Sequence, residues 1–434
     1  MELLGNLADG FFIAFEPLNL GLMIVGVIVG LFIGAMPGLG SVNGVAILLP
    51  MTFLVPPTSA IIFLAAIYYG AMYGGAISSI MLGIPGASTA VATTFDGRPL
   101  ALKGEADKAL IGAAMASFVG GTISIILFTL FAPPLAKWAL AFGDHELFAL
   151  MMMAFATFVG LSGDDIPKTL FSICIGLVLS SVGLDIMSGE PRLVFFDIIG
   201  FMHGINFLVL AIGVYGIGEM LWTIETTRGE PAMSKAKVSV ERVVSNLKEI
   251  SNTWVTALMA SFVGFFVGIL PAAGATPGSL MSYGFAKTYS KTPEEFGKGK
   301  IDGVVAPEAA NNAASTGAML PMLTLGIPGS PTTAILLGGM VIWGLVPGPM
   351  LFIEQEEFVW GLIASLYAAN LFAAVINIGF IPMFLWMLKM PFSILAPIIF
   401  VLCIIGGFAP TQSMHDVWLM YGFGVVAFLM RKLD

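Results

Sequence analysis

Two apolar runs in this chain end in the same five residues. Leu82-Gly83-Ile84-Pro85-Gly86 closes one, and Leu325-Gly326-Ile327-Pro328-Gly329 closes the other. Proline removes a backbone donor and clashes with the preceding turn, while glycine takes backbone angles that other residues avoid, so each pair breaks a helix. The surrounding chain is 58% hydrophobic and only 10% charged, against about 25% charged residues in a soluble domain. Its apolar runs are longer than the ~10-residue alternating strands of a membrane barrel. The expected fold is an all-α, polytopic integral membrane protein. A helix broken at membrane depth frees backbone groups that only protein or a water-filled cavity can satisfy. Matched breaks in two halves of a chain mark the binding site of a transporter.

Residues 1–17 read as an interfacial lead-in. Leu18 to Met36 is a first span, and its 19 residues reach about 28 Å, enough for the hydrocarbon core. Further spans are expected near 61–84, 109–131, 146–161, 166–186, 204–223, 254–270, 331–347, 358–380, 382–408 and 416–431. Phe95-Asp96-Gly97-Arg98-Pro99 reads as a polar loop. Pro133-Pro134, Asp164-Asp165 and Glu190-Pro191-Arg192 read as punctuation between spans. The N-terminus carries Glu2 and Asp9 and no basic region before Phe11, so no cleaved signal peptide is expected. Cys174 and Cys403 read as small buried hydrophobes. His145, His203 and His415 are too far apart in sequence for metal-ligand spacing.

The stretch 224–251 is the longest polar one and holds Arg228, Lys235, Lys237, Arg242 and Lys248. Basic loops stay cytoplasmic, so it is read as a cytoplasmic linker between a first membrane repeat with accessory spans (1–223) and a second (252–434). Gly30-Leu31-Phe32-Ile33-Gly34-Ala35-Met36-Pro37-Gly38-Leu39-Gly40 aligns with Gly264-Phe265-Phe266-Val267-Gly268-Ile269-Leu270-Pro271-Ala272-Ala273-Gly274, with five identical positions. The Leu-Gly-Ile-Pro-Gly elements then align at a larger offset. The charged insert from Lys287 to Asp302 stands in place of Pro56-Pro57 and accounts for the difference. Two matched anchors define an internal repeat. The acidic N-terminus and the cytoplasmic linker favour inverted over parallel repeats.

A half-helix that starts after Pro85-Gly86 or Pro328-Gly329 points bare N–H groups and a positive dipole end at a ligand, which suits an anion. Ser88, Thr89, Ser330, Thr332 and Thr333 add hydroxyl donors. The breaks at Pro37-Gly38 and Pro271 bring Ser41 and Asn43, with Thr276 and Ser279, into the same frame. Small residues that merely permit close helix packing are the plainer alternative. The run Pro307-Glu308-Ala309-Ala310-Asn311-Asn312-Ala313-Ala314-Ser315-Thr316 carries a carboxylate and two amides into an apolar segment, where they need partners. Glu308 is a candidate for the coupling ion, Na⁺ or H⁺, or else caps a helix at the interface. Asn311, Asn312, Ser315 and Thr316 are candidates for the substrate path. Asp96 and Arg98 are read as structural.

No catalytic residues, cofactor or metal site are expected. Gly297-Lys298-Gly299-Lys300 lacks the earlier glycine and the hydroxyl of a phosphate loop. No Ser-His-Asp or H-E-x-x-H grouping is present, and Gly163-Asp164 is preceded by Leu161 where an intramembrane aspartyl protease has glycine.

Gly34-x-x-Pro37-Gly38-Leu39, Asp96-Gly97-x-Pro99-Leu100-Ala101-x-x-Gly104-Glu105-Ala106, Pro307 to Asn312, Leu325 to Gly329 and Gly348-Pro349 together resemble the large membrane subunit of the tripartite tricarboxylate transporters, the TctA family. The resemblance covers residues ~20 to ~355 and departs at Gly83, where many members have asparagine. It implies an elevator-type permease in the bacterial inner membrane. The partners it implies are a small four-span membrane subunit and a periplasmic solute-binding protein. The implied substrate is a tricarboxylate or dicarboxylate such as citrate, imported on an ion gradient. The rival reading is a stand-alone carboxylate or cation antiporter that needs no receptor.

Overall fold

The computed structural model describes residues 2–36, 39–161, 166–185, 190–194, 199–226, 245–246, 250–271, 273–387, 392–408 and 412–433. Among them the strands are Gly183–Leu184 and Pro191–Arg192, one short antiparallel pair; the rest of the regular structure is helical. Among the described residues, five helices are long and apolar enough to cross a membrane: Pro17–Ala35, Pro57–Leu82, Ala106–Ala139, Ser251–Ile269 and Glu356–Gly379. The chain is an all-α, multi-pass membrane protein.

Its contacts gather it into two compact units. The larger takes Met1–Val45, Thr52–Asp144 and Gly229–Met390; the smaller takes Ala46–Met51, His145–Arg228 and Pro391–Asp434. In the smaller unit a π-helical turn, Ile212–Gly218, sits against the helix Met414–Lys432. A Cβ on Gly213 would stand 2.5 Å from the carbonyl oxygen of Met420.

The larger unit contains every candidate site residue. Its principal helices are α1 (Glu2–Ala14), α2 (Pro17–Ala35), α3 (Gly40–Leu48, of which Gly40–Val45 belong to this unit), α4 (Pro57–Leu82), α5 (Val91–Leu102), α6 (Ala106–Ala139), α7 (Trp254–Ile269), α8 (Ala275–Tyr289), α9 (Asp302–Leu325), α10 (Pro331–Ile342) and α11 (Glu356–Gly379). At its centre are α4, buried from Ser59 to Met81, and α9, buried from Gly303 to Thr324. A helix buried all round must be met by neighbours that can come close, and glycine permits this. A Cβ on Gly30 would lie 2.3 Å from Ile67 O, and one on Gly34 2.2 Å from Ala71 O, so α2 lies directly on α4. Likewise a Cβ on Gly264 or Gly268 would lie 2.3 Å from Ala310 O or Ala314 O, so α7 lies directly on α9. The two pairs use corresponding glycines.

Four readings change. Phe95 to Pro99 is not a loop but the body of α5, with Pro99 inside the helix and Asp96 buried; the turn comes later, where Gly104 takes φ +86°. Pro133-Pro134 does not end a span, since α6 runs on to Ala139. The span expected over 331–347 stops at Ile342, and Gly344 turns the chain with φ +72°. Cys174 is exposed, whereas Cys403 is buried. Asp164-Asp165 and most of 224–251 lie outside the described residues.

The helix contacts give a direct test. Gly34→Leu and Gly268→Leu each improve intrinsic helix propensity but force backbones apart, at about 1–3 kcal/mol for overpacking. Both variants are expected to unfold several degrees lower in detergent. Gly5→Leu and Gly284→Leu, where nothing lies within 4 Å of the added Cβ, serve as controls. Equal melting of all four would show that close backbone approach does not hold these pairs.

Candidate functional site

The two Pro-Gly elements are built alike. Gly83 ends α4 with φ 74°, ψ 15°, its N–H bonded to Ser79 O; Gly326 ends α9 with φ 70°, ψ 19°, its N–H bonded to Met322 O. Both are left-handed caps, a conformation that glycine and asparagine tolerate. An asparagine at position 83 would be compatible with the same cap. After each cap the chain drops onto the spacer glycine of its own half. A Cβ on Gly86 would meet Gly34 O at 1.9 Å, and one on Gly329 would meet Gly268 O at 2.7 Å. Gly40 and Gly274 also correspond, with φ 61° and 63°; their Cβ positions lie 3.3 Å from the Ala87 side chain and 3.6 Å from that of Ser330.

Side chains then cross from one half to the other. The hydroxyls of Ser41 and Thr332 are hydrogen-bonded at 2.9 Å, and those of Ser88 and Thr276 at 3.1 Å. The Gly274 N–H donates to Gly329 O at 2.9 Å. Residues 40–41 therefore touch both Pro-Gly elements, as do residues 274–276, and the two breaks meet in one polar cluster.

The helix starts beside the breaks differ. Ser330 caps α10: its Oγ accepts from the Thr333 N–H at 3.2 Å, and Thr333 Oγ1 accepts from the Ser330 N–H at 2.9 Å, with Pro331 in the first turn. This capping box satisfies two N-terminal donors and leaves the dipole end facing the cluster. The Ser330 and Thr333 hydroxyls are thereby engaged, and Tyr68 OH lies 3.4 Å from Ser330 Oγ. The first-half counterpart is a 3₁₀ turn, Ser88–Ala90, without a side-chain cap. Ser88 is exposed and Thr89 half-buried. Asn43 is buried on α3, and Pro271 is buried just past α7. Pro37 and Gly38 lie outside the described residues.

The polar run of α9 lies deeper. Glu308 is not a cap: it stands well inside the helix at 0% exposure. Its carboxylate accepts from the Thr93 hydroxyl and, at 3.3 Å, from Ser117 Oγ. Asn311 Nδ2 donates to Met72 O at 3.3 Å, and Asn312 Nδ2 to Glu308 O at 3.1 Å. Ser315 bonds back to Asn312 O, and Thr316 pairs with the Tyr69 hydroxyl. Tyr73 donates to Asn370 Oδ1 at 2.6 Å, and the Asn370 amide donates to Phe118 O and Thr122. The tyrosines, Asn370 and Ser117 were not among the expected site residues. Tyr68-Tyr69-x-x-x-Tyr73 in a charge-free run is the signal that could have found three of them; Ser117 carried none. A cavity of about 390 Å³, lined by Asn6, Asp9, Glu356, Glu357 and Trp360 among others, shares no residue with this cluster.

Asp96 is also 0% exposed. Its carboxylate accepts from the N–H groups of Gly297 (3.0 Å), Gly299 (2.7 Å) and Lys300 (2.8 Å) and from Tyr283 OH (2.9 Å). Gly297 and Gly299 take φ 81° and 95°, which turns successive N–H groups inward as an anion nest. The glycine-lysine stretch that lacked a phosphate-loop pattern thus binds this chain's own carboxylate. Among the described residues, no three His, Cys, Asp or Glu side chains gather as a metal site.

Residues 20–434 match the sequence model of the tripartite tricarboxylate transporter TctA family. The chain is 36% identical over 436 residues to an uncharacterized 52.8 kDa protein in the TAR-I ttuC' 3' region of Agrobacterium vitis, an alignment covering 100% of this chain and 86% of the relative. It is also 36% identical over 170 residues to an uncharacterized protein in the TAR-II ttuC' 3' region of that organism, covering 39% of this chain and 70% of the relative. No solved structure matches. The family match over nearly the whole length, joined to a relative aligned along all of this chain, makes this chain a member of the tripartite tricarboxylate transporter TctA family.

Proposed function

We propose that the protein is the permease subunit of a binding-protein-dependent secondary transporter in the bacterial inner membrane. It imports a small organic anion, a tricarboxylate or dicarboxylate such as citrate, on a Na⁺ or H⁺ gradient. Its partners are a small four-span membrane subunit and a periplasmic solute-binding protein. The observation that carries this reading is the meeting of two Pro-Gly breaks through the Ser41–Thr332 and Ser88–Thr276 hydroxyl pairs. A carboxylate can be held by hydrogen-bond donors alone, and helix N-termini with flanking hydroxyls supply them. Residues 1–223 and 252–434 form inverted repeats joined by the cytoplasmic linker 224–251, and they work by an elevator movement. The corresponding contacts of Gly34 with Gly86 and of Gly268 with Gly329 support the repeat.

In this reading Ser41, Asn43, Ser88, Thr89 and Thr332 face the anion, with the N-terminus of α10 behind them. Ser330 and Thr333 hold that N-terminus in place through the capping box. Asn311, Asn312, Ser315 and Thr316 line the path one layer deeper, and Glu308 takes part in coupling. The Thr93 and Ser117 hydroxyls keep its carboxylate in one orientation.

Two experiments test the reading. Uptake into proteoliposomes is expected only when the permease, the small subunit and the loaded receptor are all present; full activity of the permease alone would favour a receptor-free antiporter. Thr332→Val keeps the shape but removes a hydroxyl offered to the anion, so uptake should fall about tenfold, equivalent to ~1.4 kcal/mol of binding, while the lost internal bond to Ser41 lowers stability by about 1 kcal/mol. Ser330→Ala should lower stability by about as much through loss of a cap, with a smaller effect on uptake. Wild-type uptake by Thr332→Val would remove the hydroxyls from the substrate site.

A further inference from the structure

We infer that a small monovalent cation of the Na⁺ class binds in the seam between α8 and α9, held by Asn311 Oδ1 and the hydroxyls of Ser279 and Ser282. All three side chains are fully buried, at 0%, 1% and 0% exposure. Among the described residues, Asn311 Oδ1, Ser279 Oγ and Ser282 Oγ meet no hydrogen-bond partner. A buried oxygen without a partner is destabilising, and three on one seam call for a bound species.

The register brings them together. α8 runs antiparallel along α9: Gly274 bonds to Gly329, the Cβ position of Gly278 lies 3.6 Å from that of Ala314, and Ala286 belongs to the same apolar cluster as Ala306, Ala309 and Ala310. Ser282 therefore stands level with Ala310 and Asn311, and Ser279 one turn nearer Ala314. Asn311 shares the α9 stripe of Ala314 and Ala318 at helical spacing, the stripe that meets Gly278 and Gly329.

The chemistry of each group narrows the ligand. Asn311 Nδ2 donates to Met72 O and approaches the Glu308 carboxylate. Both neighbours are acceptors, so the amide cannot turn over, and its oxygen is left for another ligand. Idle helical hydroxyls normally bond back to their own helix. Ser261, Thr288 and Thr324 do so, to Ala257, Gly284 and Leu320, but Ser279 and Ser282 do not. Neutral oxygens are hard ligands that exclude thiophilic metals. With no carboxylate among the three, they carry too little charge for Ca²⁺ or Mg²⁺. The Glu308 carboxylate, one turn along α9, balances a single positive charge.

This inference deepens the coupling role proposed for Glu308, but binding can be measured without transport. The experiment is thermal unfolding of the purified chain in detergent, titrated with NaCl against choline chloride at constant ionic strength. Na⁺ is expected to raise the melting temperature saturably, as a ligand of the folded state does. Ser279→Ala with Ser282→Ala deletes only unbonded hydroxyls, so the fold should persist. That double variant should weaken the apparent Na⁺ affinity about tenfold or more while melting normally in choline. Should the fold fail, Asn311→Ser is the second variant, with the same expectation. An equal Na⁺ response in wild type and variants, or none in wild type, overturns the cation site and assigns the seam to water. Uptake that runs equally well on choline also overturns it while leaving anion import intact. Saturable Na⁺ binding without uptake of any anion supports the site and removes the import reading.

Discussion

Backbone groups released by a broken helix inside an apolar interior must find partners, and this requirement organises the larger unit. Each Pro-Gly element leaves its helix through a left-handed cap and lands on a backbone carbonyl, Gly34 for Gly86 and Gly268 for Gly329. Such an approach is closed to any side chain, so the spacer glycines do two things at once. They bring α2 onto α4 and α7 onto α9, and they leave room for the breaks to fold back. The polar cluster follows, because the freed ends of the two halves are the groups that lack partners within their own helices.

The buried polar run of α9 shows the same pressure from another side. A helix enclosed on every face cannot pass its amides and carboxylate to water. Glu308 is met by hydroxyls from α5 and α6, Thr316 by a tyrosine of α4, and Asn312 by its own helix. The tyrosine hydroxyls of α4 reach polar partners across an otherwise apolar interface. Tyr73 fixes Asn370, whose amide in turn ties α11 to α6.

Much of this was legible in the sequence for physical reasons. The pairing of Gly30, Gly34 and Pro37 with Gly264, Gly268 and Pro271, and of the two Leu-Gly-Ile-Pro-Gly elements, marks backbone geometry, which few residue types can satisfy. The long apolar runs gave the helices and their placement in a membrane. The use of Asp96 was not legible: Phe95 to Pro99 has the composition of a loop, and only tertiary contact with the 297–300 nest makes a buried helix of it. The continuation of α6 past Pro133-Pro134 was hidden too, since local rules count proline as a stop and packing overrode them. Individual hydroxyls were the least legible. Ser330 and Ser88 look alike in sequence, yet one is locked in a cap and the other bonds across to Thr276.

The clasp around Asp96 has a mechanical consequence. A helix of the first half is riveted to the second by four donors to one buried carboxylate, three from the 297–300 loop and one from Tyr283 on α8. Shearing that joint would strand a charged group in a dry interior, far more costly than sliding apolar faces past each other. The two halves of the polar heart are therefore coupled like the jaws of a single vice. Sliding within this unit therefore costs less along the apolar helix faces outside the clasp than at the clasp itself.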